Sequence, residues 1–183
     1  MDTQQVVIVD ENGLETAGRD GETVTMGKMD AHSRGWLHRA TSVFIFNDID
    51  ELLIQQRASG KYHSPLKWSN TCCTHPSPEE TPLMAANRCL LYEMGMTTEL
   101  IEMFSFIYRA DVGNGLTENE FDHVFLGVSN QCPSPCSTEV ADWTWINVHD
   151  LRQNLVAEPD LFSPWLHACF GKVMEFKRLA INE

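Results

Sequence analysis

Basic residues are scarce in this sequence, and long apolar runs are missing. Only 13 Lys and Arg stand against 26 Asp and Glu in 183 residues, which gives a net charge of −13. This balance argues against a nucleic-acid partner, whose affinity comes mainly from basic side chains on phosphates, and equally against an anionic membrane surface. No apolar stretch approaches the roughly 20 residues of a membrane span, so we expect no membrane segment.

The sequence also gives no indication of a secretory leader or of a disulfide framework. The first residues, MDTQQVVIVDENG, have no basic start and no long apolar core, so we expect no signal peptide and a cytoplasmic location. In that setting the six cysteines are interpreted as free thiols. Cys132 and Cys136 lie in the segment CPSPC, where a zinc site would need two further ligands that we cannot place. A solvated loop is the better interpretation.

No internal repeat, low-complexity tract or linker divides the chain, so one domain over residues 1–183 is expected. Residues 6–9 predict a strand, and 15–30 an irregular segment. Runs 41–46 and 52–56 predict a hairpin. Further strands are predicted at 68–71, 103–109, 121–128 and 142–146, and helices at 82–94, 149–156 and 163–180. Strands, helix, strands and helices in this order predict a mixed sheet with helices packed on it, an α+β fold resembling an α/β/α sandwich.

The helix at 82–94 has the clearest boundaries. Thr81 is a good N-cap, Pro82 suits the first turn, and Gly95 suits the C-terminal cap. Apolar residues at helical spacing predict an inward face. They are Leu83, Ala86, Leu90, Leu91 and Met94.

Residues 70–76, NTCCTHP, place two adjacent cysteines and a histidine shortly before that helix. Thiols near a metal ligand, close to backbone N–H groups that attract anions, suit chemistry. Alternatively, Cys72 and Cys73 are small buried residues and His75 belongs to a turn. The rest of the chain must supply partners to decide between these interpretations.

Three histidines and two glutamates are candidate metal ligands: His32, His38, His75, Glu118 and Glu120. In an extended segment the two glutamates point to the same side. A mixed nitrogen and oxygen set suits Mn²⁺, Mg²⁺ or Fe²⁺ better than a structural zinc, although zinc also binds such residues. Taken singly, each is more often an ordinary core or surface residue, so the hypothesis requires that all five converge.

Four basic residues form a second candidate group: Lys28, Arg57, Lys61 and Arg88. Cations gathered near the Cys-His segment could bind a phosphate or diphosphate. The alternative for each is an ordinary surface charge.

Residues 88–96, RCLLYEMGM, resemble the C-terminal half of the Nudix box, and Glu80 falls on an earlier glutamate of that box. Cys89 and Tyr92 stand where two of its glutamates are expected. Those carboxylates hold the Mg²⁺ ions that serve diphosphate hydrolysis in that superfamily. The resemblance therefore implies a Nudix fold without Nudix hydrolysis, in which Glu93 holds a Mg²⁺ that bridges to a substrate diphosphate.

From about residue 28 to 165 the chain resembles the type 1 isopentenyl-diphosphate delta-isomerases. The segments that carry the resemblance are KMDAH (28–32), LHRATSVF (37–44), QRA (56–58), WSNTCCTHP (68–76), YEMG (92–95), YRA (108–110), ENE (118–120) and SPW (163–165). This family interconverts isopentenyl and dimethylallyl diphosphate by adding and removing protons on opposite faces of a double bond. The resemblance implies a core of about 36–150 with C-terminal helices at 149–180, a small isoprenyl diphosphate substrate, and no obligate protein partner.

The resemblance also implies roles for individual residues. Cys73, two residues before His75, is the catalytic cysteine, and Glu120 is its acid/base counterpart, assisted by Tyr108. The five His and Glu candidates hold Mn²⁺, or Zn²⁺ or Mg²⁺, and Glu93 holds the Mg²⁺ that arrives with the diphosphate. The substrate contacts are Lys28, Arg57, Lys61 and Trp165, the last shielding a carbocation. In some members an arginine contacts the diphosphate at the position that Cys89 occupies here. Whether the adjacent Arg88 takes over this role is left open.

Two other functions are kept as alternatives. One is a Nudix hydrolase of a nucleoside diphosphate derivative, against which the incomplete box speaks. The other is a non-catalytic metal- or phosphate-binding module, which would not need the thiol of Cys73.

Overall fold

A seven-stranded mixed sheet carries the fold, with helices on both faces. The computed structural model describes residues 4–18 and 20–181. The strands are β1 (Gln5–Val7), β2 (Thr25–Gly27), β3 (His38–Phe46), β4 (Glu51–Arg57), β5 (Trp68–Ser69), β6 (Cys72–Thr74), β7 (Ile101–Gly113), β8 (Leu116–Val128) and β9 (Val140–Asn147). The α-helices are α1 (Lys28–Arg34), α2 (Pro82–Met94), α3 (Val148–Ala157) and α4 (Pro164–Ile181). This α+β arrangement confirms the predicted fold class.

The register of two central strands positions the functional residues. β3 and β8 run parallel, with His38 opposite Glu120. β7 and β8 form a long antiparallel hairpin in which Tyr108 also pairs with Glu120. On the other side of the sheet, β4 pairs with β9, while β1 and β2 form a separate two-stranded ribbon. The start of β3 and the middle of β8 therefore meet at one end of the sheet.

The predicted hairpin of β3 and β4 is confirmed only beside its turn. These two strands pair at Phe46 and Leu52 and then diverge, and β5 and β6 fill the gap between them. The Thr71 hydroxyl accepts a hydrogen bond from the Ile45 N–H at 2.9 Å and donates to the Leu53 carbonyl at 2.7 Å. Because one side chain satisfies both backbones, Thr71 joins strands that no longer bond directly.

Alternation along the strands of the main sheet places a core cluster on each of its faces. Phe44 and Phe46 of β3 face the cluster beneath α3 and α4. Val43 and Ile45 face the cluster beneath α2. Residues two apart along β3 and β8 therefore share a face. Ser42 and Asp122 lie on the face that α4 covers, and there the Ser42 hydroxyl donates to Asp122 at 2.7 Å.

Helix α2 has the predicted bounds, and its inward face was predicted in part. The Thr81 hydroxyl accepts from the Met84 N–H at 3.2 Å, and Gly95 ends the helix with a φ of 64°. Leu83 and Leu91, predicted to face inward, are 43% and 56% exposed. The other three predicted residues are buried as expected, namely Ala86, Leu90 and Met94. The rest of the buried face consists of Ala85, Cys89 and Glu93.

The segment predicted to be irregular contains regular structure. Within 15–30 lie β2 and the first turn of α1, so Lys28 and His32 stand on a helix rather than in a loop. Helix α1 has only seven residues, and Gly27 at its N-cap supplies no side-chain hydrogen bond, so the usual start signal is missing. Within the described ranges, no helix combines the length and apolar character that crossing a membrane requires.

Candidate active site and metal centre

The five candidate metal ligands converge. Helix α1 brings His32, the start of β3 brings His38, and β8 presents Glu118 and Glu120 on one face. His75 follows β6. All five residues are buried, and one ligand atom from each lies within 4.8 Å of every other. The prediction that these residues come together is confirmed.

Backbone carbonyls orient two of the imidazoles. His32 Nδ1 lies 2.6 Å from the Lys28 carbonyl, and His38 Nδ1 lies 2.7 Å from the Trp36 carbonyl. Because a carbonyl can only accept, each Nδ1 carries a hydrogen, and each Nε2 is directed into the cluster. There His38 Nε2 and His75 Nε2 approach to 3.2 Å.

Each carboxylate uses its two oxygens differently. Glu120 Oε1 lies 2.7 Å from His75 Nε2, while its Oε2 accepts from the Tyr108 hydroxyl at 2.5 Å. Glu118 Oε2 lies 3.1 Å from His32 Nε2, while its Oε1 lies 2.9 Å from a further imidazole, His63 Nε2. One oxygen of each carboxylate therefore faces the cluster and the other faces an outer partner.

The cluster favours a positive charge at its centre. Burial, followed by the neighbouring charge of Glu120, raises the pKa of Glu118 to about 7. Burial lowers the pKa of His75 to about 3, so this imidazole is neutral. Two carboxylates and three imidazoles gathered at one point are a donor set that a divalent metal takes. The residues present therefore fit a divalent metal site.

The adjacent cysteines separate onto opposite faces of the sheet. Cys72 is fully buried beneath α2, whereas Cys73 faces the side of α4. The Cys73 thiol donates to Asn70 Oδ1 at 3.1 Å and lies 3.5 Å from the Ser42 hydroxyl. Burial raises its pKa well above the ordinary thiol value. Both cysteines lie in β6, and the Cys73 carbonyl meets Cys89 in the middle of α2, so the predicted position at the helix entrance is wrong.

A cavity of about 700 Å³ opens beside this cluster, within the range of small-ligand sites. Its wall combines cationic, acidic and aromatic residues with the thiol. They include Lys28, Arg57, Lys61, Cys73, Glu93, Tyr108 and Trp165. The structure thus brings the predicted catalytic and substrate-binding residues to one cavity, which three of the five cluster residues also line, namely His75, Glu118 and Glu120.

The basic residues around the cavity already have partners. Lys61 forms an ion pair with Glu139, and Lys28 Nζ lies 5.0 Å above the Tyr62 ring. The Arg57 guanidinium donates to the carbonyls of His63 and Ser64 and lies 5.0 Å from the Trp165 ring. These contacts hold the three side chains at the cavity wall.

Arg88 also lines the cavity, but an acidic residue engages its guanidinium. Its Nε and Nη2 bind Glu80 at 2.6 and 2.8 Å, and a longer contact of 3.4 Å reaches the His75 carbonyl. The hydrogen bond from Arg88 lowers the pKa of Glu80 to about 2. Glu80 and Arg88, both matched to the Nudix box in the sequence, form a pair that joins the segment before α2 to the middle of this helix.

Glu93 and Trp165 line the cavity from different elements. Glu93 of α2 accepts from Gln55 Nε2 at 2.7 Å, and burial raises its pKa above the ordinary carboxyl value. Trp165, at the start of α4, is 4% exposed and donates from Nε1 to the Ser69 hydroxyl at 2.7 Å. Ser69 thus fixes the indole.

Two buried residues at the site were not predicted from the sequence. Asp122 accepts from the Ser42 hydroxyl at 2.7 Å, and burial raises its pKa well above the ordinary carboxyl value. Strand alternation beyond Glu118 and Glu120 could have identified it. His63 lies in an irregular loop whose sequence has no periodicity, so no pattern pointed to it.

Comparisons with known proteins identify the family. A NUDIX domain model matches residues 36–166. The chain is 49% identical to isopentenyl-diphosphate Delta-isomerase 1 of Aromatoleum aromaticum, over 93% of this chain and 92% of that protein. It is 41% identical to the isopentenyl-diphosphate Delta-isomerase of Pectobacterium atrosepticum, over 96% and 94%.

Solved structures agree on the fold. A MutT protein from Methanosarcina mazei superposes with a TM-score of 0.63 at 16% identity, over 79% of this chain and 95% of that one. A Deinococcus radiodurans protein reaches 0.66 at 16% identity, over 85% and 90%. Given the extent and identity of the sequence matches, the chain belongs to the isopentenyl-diphosphate delta-isomerase family of NUDIX-domain proteins.

Proposed function

We propose that this protein is an isomerase that interconverts isopentenyl diphosphate and dimethylallyl diphosphate in isoprenoid biosynthesis. The observation that carries the proposal is the common cavity of Cys73 and the Tyr108–Glu120 pair. Proton addition and removal at an unactivated alkene needs an acid on one face and a base on the other. The names of the relatives support the same activity.

The basic wall of the cavity is suited to the diphosphate. Lys28, Arg57 and Lys61 supply positive charge there, and Lys61 would exchange its contact with Glu139 for the ligand. We assign Glu93 to a Mg²⁺ that accompanies the diphosphate, because hard cations take carboxylate oxygens.

The buried cluster of five nitrogen and oxygen donors is suited to a second divalent ion. We assign Mn²⁺, or Zn²⁺ or Mg²⁺, to this cluster, namely His32, His38, His75, Glu118 and Glu120. When bound, a divalent ion there supplies fixed positive charge that stabilises negative charge next to it.

The proton movements balance without any other reactant. One group protonates the terminal methylene carbon, which leaves the positive charge on the tertiary carbon. A base on the opposite face removes a proton from the methylene between that carbon and the CH₂O group, and the C–H electron pair becomes the new double bond. We assign these two transfers to Cys73 and to Glu120, with the Tyr108 hydroxyl as a relay on Glu120 Oε2.

The carbocation must be kept from water. Trp165 is buried at the cavity wall, and its indole N–H is fixed on Ser69. An aromatic face stabilises a desolvated cation by roughly 1–2 kcal/mol. Enclosure by α4 limits trapping of the intermediate by solvent. Since α4 supplies Trp165, we propose that the C-terminal helices and the sheet form one catalytic domain.

Free thiols at all six cysteines support a reducing, cytoplasmic location.

The test is incubation of the purified protein with isopentenyl diphosphate and Mg²⁺ in D₂O, followed by NMR. We expect dimethylallyl diphosphate to appear and deuterium to enter the product. The Glu120→Gln variant should form no product while keeping the parental circular dichroism spectrum. Absence of product with the parent protein, together with release of phosphate or a nucleoside monophosphate from nucleoside diphosphate derivatives, would support the hydrolase alternative. Cys89 and Tyr92 at two box-glutamate positions speak against that outcome.

A further inference from the structure

His63 is a loop residue with the burial of a core residue. It lies between β4 and β5, yet it is only 4% exposed. Its Nε2 approaches Glu118 Oε1 to 2.9 Å. A buried imidazole in contact with a candidate metal ligand calls for a functional explanation.

The two carboxylates of the cluster are held in matching ways. Glu120 presents Oε1 to the histidines, and the Tyr108 hydroxyl holds its Oε2. Glu118 presents Oε2 to His32, and its Oε1 lies 2.9 Å from His63 Nε2. Outer hydrogen bonds of this kind fix the orientation of metal-binding side chains and are part of a metal site.

The hydrogen-bond chemistry assigns His63 a donor role. A carboxylate oxygen only accepts, so a neutral His63 that keeps this 2.9 Å contact carries its hydrogen on Nε2. His63 Nδ1 is buried, and it has no hydrogen-bond partner in the part of the chain that the structure describes. Nε2 is thus engaged by Glu118 and offers no lone pair to the cluster, so His63 acts on the carboxylate rather than as a sixth ligand.

Neighbouring side chains fix the imidazole in this position. The His63 ring meets the Trp165 ring edge to face at 5.7 Å and the Tyr62 ring at 4.4 Å. Its carbonyl accepts from Arg57 Nη2 at 3.1 Å. His63 therefore touches a metal ligand, the aromatic wall and a cation of the substrate cavity.

We propose that His63 is a positioning residue of the metal centre, whose Nε2–H holds Glu118 Oε1 so that Oε2 is directed at the ion. This inference rests on the metal-dependent isomerase function proposed above. In this proposal, His63 orients the Glu118 carboxylate in the same way that the Tyr108 hydroxyl orients the Glu120 carboxylate.

The experiment measures Mn²⁺ affinity without substrate, by equilibrium dialysis of metal-stripped protein. We expect His63→Ala to weaken Mn²⁺ binding roughly 10- to 100-fold, the usual effect of losing an outer partner. His63→Gln places an amide N–H near the position of Nε2 and should recover most of the affinity. The control is His149→Ala on α3, an exposed histidine that should bind Mn²⁺ like the parent.

Thermal unfolding of the metal-free variants separates positioning from folding. Parental Mn²⁺ affinity in His63→Ala would overturn the proposal. So would equal weakening in His63→Ala and His63→Gln, because the donor would then not matter. If His63→Ala does not fold, His63→Gln alone decides, since near-parental affinity there supports the donor role and a loss of affinity in the folded variant contradicts it. A parent that binds Mn²⁺ but does not isomerise the substrate would refute the proposed function and leave the result for His63 intact.

Discussion

The Tyr108 hydroxyl donates to Glu120 Oε2, while Oε1 of the same carboxylate faces His75 Nε2 at 2.7 Å. The Glu120 carboxylate thus joins the predicted metal cluster to the Tyr108 phenol at the cavity wall. Removing the hydroxyl should therefore affect both catalysis and metal binding. We predict that Tyr108→Phe lowers kcat by about 10²-fold, the lower range for a proton-transfer group, and also weakens Mn²⁺ binding, because the hydroxyl holds Glu120 Oε2. Steady-state kinetics and equilibrium dialysis measure the two quantities. Parental kcat would remove Tyr108 from the mechanism.

The adjacent cysteines provide a matched pair of variants. Cys73→Ala should abolish turnover and leave the urea unfolding midpoint close to that of the parent. Cys72→Ala should remain active but lose ~1 kcal/mol of stability, comparable to removing a buried methyl group, because Cys72 packs beneath α2. Progress curves and urea titrations of both variants test this pair. The assignment fails if Cys72→Ala is the inactive one.

Metal removal should affect both turnover and stability. With five buried ligand atoms gathered at one point, a bound ion stabilises the folded state, by about 2.7 kcal/mol when its concentration is 100 times Kd. We predict that a chelator abolishes isomerisation and lowers Tm, and that added Mn²⁺ restores both. Isomerisation that continues in metal-stripped protein would exclude the ion from the mechanism.

The Glu80–Arg88 pair gives a pH-dependent stability. The hydrogen bond from Arg88 lowers the pKa of Glu80 from 4.5 to about 2 in the folded protein. Because the folded pKa is the lower one, this stabilisation is present above about pH 4.5 and is lost as pH falls toward 2. After allowance for solvent screening it contributes about 0.5–1 kcal/mol.

We therefore predict that Glu80→Gln is less stable than the parent at pH 7, and that the difference shrinks between pH 4.5 and pH 3. Urea midpoints of both proteins across this interval measure the effect. A difference that stays constant with pH would show that the charge of Glu80 does not contribute.

Gly95 should not tolerate a side chain. Its φ is +64°, and an added Cβ would lie 2.4 Å from the Ser134 carbonyl oxygen. The left-handed conformation alone costs roughly 1–2 kcal/mol, so Gly95→Ala should destabilise the protein by at least that amount. Gly60→Ala is the control, because nothing lies within 4 Å of its added Cβ. Equal unfolding midpoints for the two variants would contradict the prediction.

Sequence patterns predicted the features that local chemistry determines. Helix α2 has a cap, a proline and a terminal glycine, so its bounds were predicted correctly. Alternation in β8 placed Glu118 and Glu120 on one face. The metal cluster brings together residues far apart in the chain, and it was predicted because the chemistry of the five residues and the family resemblance agreed.

The features that were missed depend on tertiary packing. Helix α1 has no side-chain cap, so nothing local marked its start. His63 lies in a loop where Ser64 and Leu66 adopt positive φ values of 47° and 60°. The sequence pattern does not predict this backbone conformation. The burial of α2 is displaced from Leu83 and Leu91 because the sheet, rather than the helix alone, selects the contacting stripe.

The hydrogen bonds of Thr71 have a consequence for mutational scans of residues 70–76. Thr71 bridges the backbones of two diverging strands and donates nothing to the cavity, whereas Cys73 lies at the cavity wall. Substitutions at either position would score as loss of function, but for unrelated reasons, one through misassembly of the sheet and one through lost proton transfer. Abundance measured alongside activity would separate the two, because Thr71 variants should be depleted from cells and Cys73 variants should accumulate as inactive protein.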